Sequence, residues 1–95
     1  MQDMGGSSVL QHYWLTQGMA RALGVNLCAA IAAGALKRSV LDDLVARCEA
    51  CKRQAECLPW LGRNAMGAAD LPEYCANRQA LLALKPRVEA ALRHG

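Results

Sequence analysis

Ninety-five residues with a formal charge of +3 make one small domain, near the lower limit of what a single hydrophobic core stabilises without a staple. Phe is absent, so the core must be built from Leu, Ala, Val and Met, a palette that favours helix over strand. The charge is spread out, without a Lys/Arg block or aromatic-interleaved basic stripe, which argues against a dedicated nucleic-acid binder, and no segment reaches the ~20 apolar residues of a membrane span.

Residues 1–8, rich in Gly and Ser, read as a flexible leader without the basic start and apolar run of a secretory signal. They introduce a single helical domain over residues 9–95. A first helix is expected over residues 8–23, with Leu10, Tyr13, Trp14, Met19, Ala20 and Leu23 on one face and Gly24 as its stop. A short second helix follows, with Asn26 as N-cap and Gly34 as a left-handed end. Ser39 and Asp42 resemble a capping box opening a third helix. Its stripe of Leu41, Leu44, Val45 and Cys48 keeps the i, i+3, i+4, i+7 spacing of a buried face, and Cys51 continues it.

A fourth helix is expected over residues 55–63, with Pro59 tolerable only in its first turn and with Cys57, Trp60 and Leu61 on one face. Residues 64–69 read as a loop. Asp70-Leu71-Pro72 reads as a helix start that brings in Cys75. Asn77 would cap a further helix, with a break or kink at Lys85-Pro86. The expected architecture is all-α, a compact bundle of five or six short helices.

Chemistry concentrates in the cysteines. Cys48, Cys51 and Cys57 read C-x2-C-x5-C, and Cys75 follows after the loop. Without a secretory signal the chain is expected in the cytoplasm, where thiols stay reduced; five cysteines there point to metal or redox chemistry over a disulfide framework. Cysteines three apart at a helix end approach one centre, a third returns after a tight turn, and Cys75 closes the set. Arg47, Lys52, Arg53, Arg63 and Arg78 are available to offset thiolate charge. Structural zinc usually takes ligands as two close pairs, whereas only one pair exists here. Cys28 reads as a small buried hydrophobe, Trp14, Trp60 and Tyr74 as core, and His12 and His94 as solvated. Asp42 and Asp43 read as helix-start charge. No phosphate loop, nucleophile elbow, zinc-protease helix or dinucleotide fingerprint occurs, so an enzyme is not expected.

The C-x2-C-x5-C run resembles the helical iron-sulfur segments of WhiB-like redox regulators and of DNA glycosylases, over about ten residues. In both of those families the fourth ligand precedes the triplet rather than following it. A wider resemblance rests on Tyr13-Trp14-Leu15, Met19-Ala20-Arg21, residues 43–51 ending in Cys48-Glu49-Ala50-Cys51, Cys57 with Trp60-Leu61, and Tyr74-Cys75-Ala76-Asn77. These strings are similar to a family of small, chiefly alphaproteobacterial proteins classed as a domain of unknown function. Its motif corresponds to Cys48, Cys51, Cys57 and Cys75, and it implies no activity.

The expectation is a small iron-sulfur protein, a four-iron, four-sulfide cluster being favoured. Cys48, Cys51, Cys57 and Cys75 would be its ligands, and its role electron transfer or the sensing of oxidants or nitric oxide with a protein partner. Two other classes stay open. One is a non-catalytic interaction module stapled by zinc or by disulfides, each cross-link adding ~2–4 kcal/mol. The other is a nucleic-acid adaptor using Arg47, Lys52 and Arg53.

Overall fold

In the structure, a computed structural model, the backbone of residues 4–94 and the side chains of residues 10–93 are described. Five helices form the fold: α1 (Met4–Ala22), α2 (Leu27–Ala32), α3 (Arg38–Cys51), α4 (Gln54–Arg63) and α5 (Arg78–His94). There is no strand among the described residues. This is the all-α bundle that the composition leads one to expect. α1 packs on α3, α4 and α2, while α2 packs on α5.

α1 starts at Met4, so its first turns run through residues 4–8; residues 1–3 lie outside the described residues. Its buried face is His12, Leu15, Thr16, Met19 and Leu23. That face differs from the expected one. Leu10 is exposed and Trp14 is 62% exposed, its ring meeting Tyr13 edge-on at 5.7 Å between centroids. The cause is the helical repeat: a stripe centred on Leu15 and Met19 extends backwards through His12 and Thr16, and a period of 3.6 cannot also bury Leu10 and Trp14. Gly18 lets α4 come close, since a Cβ there would stand 3.2 Å from Leu61 Cδ1.

α1 stops where expected, at Gly24 with φ +87°. Asn26 caps α2 as its residue type predicts, Oδ1 accepting from the Ala29 N–H at 3.0 Å. The expected Ser39–Asp42 capping box does not form. Lys37 is the N-cap and no side chain bonds there; Ser39 already lies within the helix, beyond the position from which a hydroxyl reaches the free N–H groups. α3 ends at Lys52 in the left-handed conformation, φ +57°, and the two residues Lys52 and Arg53 turn the chain directly into α4.

Both prolines correct the reading. Pro59 is inside α4, beyond the first turn; it and Ala55, whose carbonyl loses its partner, are both exposed, which lowers the cost of the lost bond. Pro86 neither breaks nor ends α5, which runs through it. Leu81, Leu84 and Val88 are buried on one stripe spanning the proline. At ~1.5–3 kcal/mol for each buried aliphatic side chain, that stripe outweighs the ~3 kcal/mol cost of an interior proline.

Candidate metal centre

The helix order brings the cysteines to one place. α3 carries Cys48 and Cys51 on its last turns, the Lys52–Arg53 turn reverses the chain, and Cys57 returns one turn into α4. Cys75 arrives from the segment before α5. It does not open that helix, as expected; residues 71–77 form successive turns, with Cys75 N–H donating to Pro72 O at 3.0 Å and Arg78 N–H to Cys75 O at 3.1 Å. Pro72 accounts for the delay, since it supplies no N–H and restricts the residue before it.

Cys48, Cys51, Cys57 and Cys75 all border one enclosed cavity of about 20 Å³, together with His12, Leu15, Thr16, Met19, Arg53, Gln54, Ala76 and Asn77. All are free thiols. Cys57 is buried, at 7% exposure, and the other three are half-buried. Cys28 stands apart on α2, exposed rather than buried as expected; Gln17 Nε2 donates to its sulfur at 3.6 Å and Tyr13 Oη lies 4.0 Å away. Its helix turns Leu27 and Ala30 inward, and position 28 falls on the other side.

Each sulfur has its own surroundings. The Cys57 thiol is pushed up to about 11, chiefly by burial and secondarily by Cys75, Cys48 and Cys51. Burial also raises Cys48, against a lowering influence of the neighbouring Thr16 hydroxyl, whose proton goes to His12 O at 2.8 Å. It raises Cys75 too, against the backbone N–H groups of Asn77 and Arg78, which face its sulfur. Cys51 Sγ donates to Tyr74 O at 3.4 Å. Three of the four thiols are therefore held in the protonated form at neutral pH, so a metal must displace their protons to bind.

Arg53 is the one cation bordering the cavity among the described residues. Its guanidinium stacks over the Tyr74 ring at 5.5 Å and lies 3.6 Å from Glu56. Arg78 is taken by Asp70 through two bonds, Nη2 to Oδ2 at 2.8 Å and Nε to Oδ1 at 3.0 Å. Of the expected basic collar, then, Arg53 alone reaches the site. The loop at residues 64–69 does not cover the cysteines either: Ala68 N–H donates to Ala22 O at 2.7 Å, docking the loop on the far end of α1.

The donors fit a thiophilic metal or cluster by type, four sulfurs with backbone and hydroxyl donors around them. They are not closed around a single ion. Among the described residues no group of three or more His, Cys, Asp or Glu side chains is placed to hold one metal ion, and the cavity has room for about one water. A metal or cluster would fit only if the thiols moved apart. Four polar neighbours, Gln54 among them, were not expected at the cavity. His12 is buried, not solvated, and Thr16 and Asn77 line the cavity with it. His12 and Thr16 are four apart on α1, a spacing that could have marked them as one polar spot on an otherwise apolar face. The side chain of His94 lies outside the described ones, and Asp42 and Asp43 are exposed.

No helix among the described residues is long and apolar enough to cross a membrane. No curated protein and no solved structure is significantly similar to the chain. Residues 1–87, which include every cysteine bordering the cavity, match a family of unknown function, DUF6455, and the chain belongs to that family.

Proposed function

We propose that Cys48, Cys51, Cys57 and Cys75 hold an iron-sulfur cluster, and that the protein works in electron transfer or in sensing oxidants or nitric oxide through loss of that cluster. The observation that carries the reading is the convergence of all four thiols, unpaired, on one cavity. When bound, the cluster would supply one-electron redox chemistry.

The chain's own residues have separable tasks in this reading. The Asn77 and Arg78 N–H groups face the Cys75 sulfur and would stabilise it in its anionic form; the Thr16 hydroxyl, whose proton goes to His12 O at 2.8 Å, would turn from there to serve Cys48. Arg53 offsets negative charge at the site. Leu15, Met19 and the burial of Cys57 keep water from its inner side. The proposed setting is cytoplasmic, with a protein as redox partner.

Protein purified without air should be brown and contain iron and acid-labile sulfide in near-equal amounts. Cys75→Ser should lose both. Colourless protein with one equivalent of zinc would favour the zinc-stapled interaction module. Alkylation masses that change only after reductant would favour disulfides. Either result sinks the cluster.

A further inference from the structure

Asn77 does something unusual for its position. Its carbonyl accepts from Leu81 N–H at 2.8 Å, so it stands at the start of α5, where an Asn side chain ordinarily accepts a bond from the helix's own first N–H groups. Here Nδ2 reaches instead across 33 residues of sequence separation and donates to Leu44 O at 2.7 Å, in a buried bond. Oδ1 is buried with no hydrogen-bond partner among the described residues. The residue is 2% exposed and borders the cysteine cavity. An unpartnered buried acceptor is unfavourable, so stability alone does not account for an amide at this position.

The surroundings supply the missing reason. Leu44 lies four residues before Cys48 on α3, so its carbonyl belongs to the turn that presents Cys48. On the other side, the Asn77 backbone N–H faces the Cys75 sulfur, as does that of Arg78. One residue thus joins the segment carrying Cys75 to the helix carrying Cys48. Cys48, Cys51 and Cys57 are set by two helices and a two-residue turn, whereas Cys75 lies in a run of turns after the loop at residues 64–69. Two hydrogen bonds tie that run to α3: the part-buried one from Cys51 Sγ to Tyr74 O, and the shorter, buried one from Asn77.

We propose that Asn77 is the positioning residue that docks Cys75 against the other three thiols, and that its side chain holds the fourth ligand in register at the expense of capping α5. The inference rests on the metal-site reading for its purpose, though the docking itself can be tested without metal.

The experiment compares Asn77→Ala with the parent, using Leu81→Ala, which opens the core along the same helix, as the control for simple destabilisation. Asn77→Ala removes the unpartnered acceptor along with the bond to Leu44, so metal-free protein should melt within a few degrees of the parent. Chelator-driven loss of iron should nevertheless quicken by roughly tenfold or more. In the metal-free chain, alkylation followed by mass spectrometry should find Cys75 selectively more reactive, with Cys48 and Cys51 unchanged. Leu81→Ala should lower the melting temperature without singling out Cys75. If Asn77→Ala does not fold, Asn77→Ser serves in its place.

Iron retention and Cys75 reactivity equal to the parent's would overturn the proposal. So would losses in Asn77→Ala that merely track its melting temperature as they do in Leu81→Ala. If the parent binds no iron, the cluster reading fails by itself, and Cys75 reactivity alone then decides for or against Asn77.

Discussion

Of the four candidate ligands, Cys57 is the one whose chemistry is most constrained by its surroundings. It is the most buried of the four and its thiol is pushed up to about 11, burial acting first. No hydroxyl or N–H group offsets that burial, unlike Thr16 at Cys48 or the Asn77 and Arg78 N–H groups at Cys75. A bound metal would remove this penalty, because coordination replaces the proton with a cation. Cys57→Ser should therefore act twice. It should abolish metal retention, and it should destabilise the metal-free fold by about 1–3 kcal/mol, since a hydroxyl takes the place of a buried sulfur without an evident partner. Cys28→Ser, outside the cavity and exposed, should do neither. Metal content and urea unfolding of the two variants check this, and equal effects would dissolve the distinction between the cysteines.

At the scale of elements, the α3–α4 corner decides whether three of the four cysteines meet. Lys52 sits there at φ +57°, the only non-glycine residue with positive φ among those described. A left-handed conformation costs an ordinary residue ~1–2 kcal/mol, part of which glycine would return as lost chain entropy. Lys52→Gly should consequently stabilise the fold by roughly 0.5–1 kcal/mol while leaving metal retention unchanged, as denaturant titration with metal analysis will show. Helix existence could be read from residue order because caps and glycine stops act locally: Asn26, Gly24 and Gly34 behave as their types predict. What could not be read was set by tertiary contacts. Pro86 is carried through α5 by Leu81, Leu84 and Val88, and Trp14 is exposed because α1 packs through Leu15 and Met19. Spacing alone picks out the four cysteines that border the cavity. His12 and Asn77 were not, because one depends on the rotation of α1 and the other on a bond spanning 33 residues.

For the whole molecule, the raised thiols tie folding and metal loading to pH with opposite signs. In the metal-free chain, Cys57 has a folded value near 11 against an ordinary value of 9.0, so the fold favours the protonated thiol. The stability this contributes is fully present below pH 9 and is lost as pH rises from there through about 11, each unit of displacement being worth ~1.4 kcal/mol. Cys48 and Cys75, raised in the same direction by burial, add to the trend. A metal-loaded form would behave in reverse at lower pH. Each thiol that ionises to bind metal releases a proton, so affinity should climb by up to about tenfold per pH unit for every proton displaced. Urea midpoints of the metal-free chain should thus be flat near neutrality and fall in alkali, and Cys57→Ala should flatten that fall. Cobalt(II), used as a spectroscopic probe of thiolate ligation, should bind more tightly as pH rises between about 6.5 and 8.5. Cobalt affinity that does not change over that range would mean that thiols held protonated by the fold are not the ligands, whatever metal the protein is found to contain.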